Sequence, residues 1–74
     1  MIDMRVSLGN KIFICKYVAS NLNEDNVLLL MIDDNRVYEV DCESKEIRDN
    51  IADNLLRYGW ADLRKFTYKT EIQN

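Results

Sequence analysis

The chain contains no histidine and no proline, and its 74 residues include two glycines and two cysteines. Without imidazole there is no side chain that ordinarily carries protons near neutral pH, so mechanisms needing a histidine base, acid or metal ligand are excluded. Gly9 and Gly59 stand far apart, which leaves no glycine-rich phosphate loop. Cys15 and Cys42 are too few for a disulfide scaffold and have no second ligand pair for zinc. Reduced thiols in a cytosolic setting are the expectation. The longest apolar run, Val27 to Ile32, is six residues, against the roughly 20 needed to span a bilayer. The N-terminal Met-Ile-Asp-Met-Arg lacks a basic region followed by an apolar stretch, so neither a targeting nor a membrane segment is expected.

What is present has an ordinary globular balance, 47% apolar and 31% charged. A chain of this length folds as one domain, 1–74, and buries only about 60% of its unfolded surface. Thirteen acids against ten bases give a net charge of −3, and the charges are segregated. Residues 1–32 carry three of each sign, residues 33–62 nine acids and four bases, and residues 63–74 one acid and three bases. An acidic centre repels phosphate backbones, so direct nucleic-acid binding is not the expectation and a basic protein is the better partner. Composition favours binding over catalysis, with no cofactor.

The strongest local signal starts at Ser44, a good N-cap, followed by Glu46 where the helix dipole favours an acid. Ile47, Ile51, Ala52, Leu55 and Leu56 recur at helical spacing, with Lys45, Arg48, Asp49, Asp53 and Arg57 assigned to the opposite face. Gly59 closes a helix over about 44–58 as a left-handed C′ residue, and Trp60 is placed to fold back near Leu55. Val27 to Ile32 and the alternating Val37 to Cys42 read as paired strands around an Asp33-Asp34-Asn35-Arg36 turn. Met4 to Leu8 and Lys11 to Ala19 read as a hairpin about Gly9-Asn10, although Ile12, Cys15, Ala19 and Leu22 also fit a helical face. Phe66 to Ile72 alternates as a final strand, a terminal helix being the other option. The expected architecture is α+β: an antiparallel meander of three or four strands, one helix packed on it, and a C-terminal strand. So thin a core makes pairing into a homodimer across an edge or bare face a natural remedy.

Four carboxylates, Asp33, Asp34, Asp41 and Glu43, surround one hairpin, but their spacing fits no calcium loop, and a solvated turn explains them. Cys15 and Cys42 lie in apolar runs as small buried residues. Six aromatics from Tyr17 to Tyr68 beside Arg64, Lys65 and Lys69 offer a weak platform for single-stranded nucleic acid, with core packing as the competing reading. Glu46, Asp49 and Asp53 fall at i, i+3 and i+7 on one helical stripe, and Glu39, Asp41 and Glu43 lead into it. Such a row can present charge where a nucleic-acid-binding partner expects phosphates. Lys45 with Asp49 and Asp53 with Arg57 are also ordinary i,i+4 pairs.

The stretch from Val27 to Trp60 resembles the small acidic phage-encoded anti-CRISPR proteins that inhibit the RNA-guided nuclease of type II systems. The similar features are the apolar strand Val27 to Ile32, the Asp-containing turn, the Tyr-bearing strand Val37 to Val40, the helix start Glu43 to Ile47, Gly59-Trp60, and the terminal Glu-Ile-Gln-Asn. The resemblance covers about half the chain. It implies a DNA mimic that occupies a basic protospacer-adjacent-motif site through carboxylates of the turn and of the segment after the helix. Asp34 is the matched turn carboxylate; Arg36 and Val37 depart from the pattern, and Arg64 and Lys65 stand where the family is acidic. Asp41, Glu43, Glu46, Asp49 and Asp53 join Asp34 as candidate partner contacts on the strength of the charge stripe. A larger nucleic-acid-binding protein of the host, such as a CRISPR effector nuclease, is the implied partner.

Overall fold

Gly9 sits at φ 56°, in the left-handed region open to glycine. With Asn10 it turns the chain between β1 (Met4–Leu8) and β2 (Lys11–Ser20). The computed structural model describes residues 3–32 and 36–72. Its further elements are β3 (Val27–Ile32), β4 (Arg36–Asp41), α1 (Lys45–Tyr58), β5 (Trp60–Asp62) and β6 (Thr67–Ile72). The order across the sheet is β5-β1-β2-β3-β4-β6. All neighbours pair antiparallel except β5, which runs parallel to β1. The chain is thus the expected α+β meander with one helix and a C-terminal strand, extended to six strands.

β5 is absent from the sequence reading because Trp-Ala-Asp is too short to show a period. It exists because the helix delivers it to β1: Gly59 O accepts from Arg5 N at 2.9 Å, and Leu63 N donates to Ser7 O at 2.9 Å. β2 settles as a strand, and its ambiguity has a cause. The register shifts between Cys15 and Tyr17, so Cys15 faces inward opposite Ile32 while Tyr17 faces outward opposite Met31. A bulge of this kind interrupts period-two alternation and leaves spacings that mimic a helix.

β5 and β6 occupy opposite edges of the sheet yet are joined by Leu63 to Phe66 alone. Six flat strands put their outer members about 24 Å apart at ~4.8 Å per step. The five peptide steps from Asp62 to Thr67 reach at most about 18 Å. The sheet must therefore curl, and Phe66 N bonded to Leu63 O at 3.1 Å shows that the link is turned rather than stretched. The inside of the curl holds the core: Val6, Leu8, Cys15, Leu28, Leu30, Ile32, Tyr38, Val40, Ala61 and Leu63, capped by Ile51 and Leu55 of α1. Both cysteines are buried free thiols, pushed up to about 11 by burial.

The helix follows its signals at both ends. Ser44 Oγ accepts from Ile47 N at 3.2 Å, and Gly59, at φ 71°, donates to Leu55 O at 3.0 Å. Two face assignments change. Arg48 is buried rather than exposed, because it lies one heptad before Leu55 and hence within about 20° of it around the axis. Its Nε and Nη2 donate to Asp49 Oδ1 at 3.1 and 2.8 Å, which keeps the guanidinium satisfied. Leu56, about 100° past Leu55, is 72% exposed. Trp60, expected to fold back on the helix, instead begins β5. Leu55→Ala is expected to cost about 2–5 kcal/mol in urea unfolding. Leu56→Ala should stay within about 0.5 kcal/mol. Equal costs would contradict this packing.

Candidate functional site

Alternation along β4 sends Tyr38 and Val40 into the core and leaves Glu39 and Asp41 on the outer face, about 7 Å apart along the strand. Asp41 fixes the local backbone. Its Oδ1 accepts from Asn26 Nδ2 at 3.0 Å and from Glu43 N at 2.9 Å, while Cys42 N donates to Asn26 O at 2.8 Å. This side-chain acceptor holds Glu43 at φ 72°, a conformation non-glycine residues seldom adopt. Asp41 thereby ties the β2–β3 loop to the entry of the helix.

That loop adds a further carboxylate. Asn21 N bonds Val27 O at 3.3 Å, Val27 N bonds Glu24 O at 3.2 Å, and Asn21 Oδ1 accepts from Asn23 N at 2.8 Å. The folded loop brings Glu24 to a cleft of about 390 Å³ that it shares with Glu39 and Asp41. Lys69 of β6, opposite Glu39 in register, is the cation in this lining. Three carboxylates against one ammonium make a negative concavity, edged by the amides of Asn21 and Asn26 and the hydroxyl of Thr67. It can accept hydrogen bonds from a guanidinium or ammonium group. Among the described residues no three histidine, cysteine or acidic side chains converge so as to hold a metal ion.

The remaining acidic candidates divide. Asp34 and the turn Asp33 to Asn35 lie outside the described residues. Glu43 and Glu46 are exposed at the helix entry. Asp49 is held below its usual carboxylate range by Arg48, whose guanidinium lies 2.8 Å away, with Lys45 at 3.9 Å. Asp53 pairs with Arg57 at 2.9 Å. Two of the three stripe acids are thus internally compensated, and the uncompensated charge gathers at the strand side. Sequence reasoning had no handle on Glu24, since a polar loop carries no period; the only trace is Asn26, whose side chain and backbone both bond the strand exit.

Near β5 an ion pair of another kind forms. Arg64 Nε and Nη2 grip Asp62 Oδ1 and Oδ2 at 2.9 and 2.7 Å, and Arg64 N adds a bond at 3.1 Å. No family model, curated protein or solved structure matches the chain. Among the described residues no helix is long and apolar enough to cross a membrane.

Arg64 holds the Asp62 carboxyl down to about 2, from 3.8. A carboxyl whose folded value lies below its unfolded one stabilises the fold above the unfolded value and loses that contribution as pH falls through the folded one. Carboxyl NMR should therefore find Asp62 titrating near 2, with the contribution of the pair lost between 3.8 and about 2. Arg64→Ala should raise the midpoint toward the ordinary range, the bond from the backbone N of residue 64 remaining. A midpoint near 3.8 in the intact chain would contradict the fork.

Proposed function

We propose that the chain is a small non-catalytic inhibitor of phage type that docks on a basic, nucleic-acid-binding surface of a larger host defence protein. The observation that carries this reading is the cleft lined by Glu24, Glu39 and Asp41, with Lys69 as the one cation in that lining among the described residues. Carboxylates pre-positioned by a bonded loop lose little freedom on meeting arginine or lysine, and negative potential speeds encounter with a basic groove. Glu43 and Glu46 extend the charge toward the helix entry. Inhibition of a guide-loaded type II nuclease is its most concrete form, and the host cytoplasm, where both thiols stay reduced, is where it acts.

A second reading rests on the outer face of the sheet. Trp60, Arg5 and Ile14 line up across β5, β1 and β2, and Ile12, Ile14, Tyr17 and Trp60 are 65%, 40%, 68% and 43% exposed. Such an apolar face suits a homodimerising module. Salt separates the two: charge docking weakens steeply as the Debye length falls from about 10 Å at 0.1 M to about 3 Å at 1 M, and apolar pairing does not.

Tagged protein should retain a guide-loaded type II nuclease from a bacterial lysate and release it in high salt. Glu24→Lys with Glu39→Lys, which spares the structural Asp41, should weaken retention by about tenfold or more, equivalent to ~1.4 kcal/mol. Unchanged affinity at low salt would overturn the acidic-docking reading. A dimeric mass by light scattering that Ile14→Glu converts to monomer, with no nuclease retained, would move the function to self-association.

A further inference from the structure

The curl leaves a second opening, on the core side of the sheet, between the β1–β2 turn and β6. Its volume is about 560 Å³, within the ~300–1,000 Å³ range of small-molecule sites. We propose that this cleft binds a phosphorylated nucleoside, as a free 5′-mononucleotide or as the terminal nucleotide of a single strand.

Its floor is aromatic. Phe13 from β2, Tyr38 from β4 and Tyr68 from β6 form one run, with ring centroids 5.4 and 5.6 Å apart and planes tilted by 45° and 35°. Rings this close leave no slot between them, so a base stacks on top of the run. Tyr68, 43% exposed, offers the open face. The β1–β2 turn closes against Tyr68, since a β-carbon at Gly9 would lie 3.3 Å from Tyr68 Oη.

Lys11 has the complementary sign for a phosphate and is the cation of the cleft assigned to meet it; Arg36 also lines the cleft but has an interaction partner of its own, and no carboxylate of a described residue is in the lining. Lys11 is exposed at the start of β2, beside Asn10.

Tyr38 supplies an independent indication. Its side chain is 4% exposed, and it makes no hydrogen bond with a described residue. No buried side-chain oxygen or nitrogen among the described residues is left unsatisfied. The hydroxyl therefore reaches open space, and the cleft its side chain lines is where that space lies. A mostly buried ring whose unbonded O–H reaches an aromatic cleft beside Lys11 is a donor placed for a ligand's acceptor. A purely apolar ligand would desolvate this hydroxyl and Lys11 without partners, and a bare phosphate would leave the rings unused. A nucleotide uses both.

The acidic cleft uses the opposite face of β4 through Glu39 and Asp41, and Tyr68 lines both openings, so Lys11→Glu and Tyr38→Phe, whose residues line the aromatic cleft and not the acidic one, separate this site from it. Titration of isotope-labelled protein with AMP, adenosine, inorganic phosphate and a short single-stranded oligodeoxynucleotide, followed by NMR, tests it. AMP should shift the Phe13, Tyr38 and Tyr68 ring signals with an affinity of about 1 mM or tighter, and adenosine or phosphate alone should bind at least about tenfold more weakly. Tyr68→Ala and Lys11→Glu should each weaken AMP by about fivefold or more, the low end for one base–aromatic stack. Tyr38→Phe, which keeps the ring, should weaken it by about threefold, within the range of one hydrogen bond. An oligonucleotide that binds more tightly than AMP identifies a strand end as the source; equal affinity identifies the free nucleotide. Absence of ring shifts with AMP, phosphate binding as well as AMP, or binding that both Tyr68→Ala and Lys11→Glu leave intact would each overturn the proposal.

Discussion

A four-residue connection, Leu63 to Phe66, joins strands that lie on opposite edges of a six-stranded sheet, and the rest of the molecule follows from that short reach. A flat sheet is out of range, so the strands wrap around a single core that one helix can cap. The wrap solves the problem of a thin domain. Leu63, fully buried at the start of the connection, fastens the curl to the core, and its backbone N completes the bonding of β5 to β1 through Ser7. The price is an imperfect closure: β5 and β6 do not pair, and the opening beside the β1–β2 turn is floored by aromatic rings rather than sealed.

Because side chains alternate along each strand, one curled sheet presents two chemistries. On β4, Glu39 and Asp41 face an outer cleft while Tyr38 faces the inner one, and on β6, Lys69 lines the outer cleft, Thr70 the inner one, and Tyr68 both. A net negative chain thus carries a negative concavity and, on the other side, a basic aromatic one. The segregation seen along the sequence, acidic middle and basic tail, does not map onto these sites. Lys69 of the tail offsets the acidic cleft, and the cations of the aromatic cleft, Lys11 and Arg36, come from the first half. Within the helix, charge is largely settled internally, by Arg48 with Asp49 and Arg57 with Asp53.

Local physics made much of this legible beforehand. Ser44 and Gly59 marked the helix ends because capping is decided by neighbours within a turn. Gly9-Asn10 marked the first hairpin for the same reason. Most of the misreadings involve information that is not local. β5 needs β1 as a template; Arg48 is the exception, since its cues, Leu55 one heptad on and Asp49 beside it, are local. β2 resembled a helix because a bulge, which only pairing with β3 reveals, shifts its alternation. The candidate site divided likewise. Asp41, Glu43 and the helical acids could be singled out from their spacing, whereas Glu24 joins Glu39 and Asp41 only when hydrogen bonds fold its loop. The run of Phe13, Tyr38 and Tyr68 comes from three strands far apart in sequence and exists only once the sheet is curled.

The curl is the premise of both clefts, and one measurement tests it directly. In carbon-edited NOE spectra of the intact protein, the Tyr68 ring should show cross-peaks to Gly9 as well as to Tyr38, since the first contact spans the opening between β6 and the β1–β2 turn and the second lies within the sheet. Finding both means that the short connection bends the sheet as described. Cross-peaks from Tyr68 to Tyr38 with none to Gly9 would mean that β6 stands away from the turn, and both the curl and the cleft beneath it would be wrong.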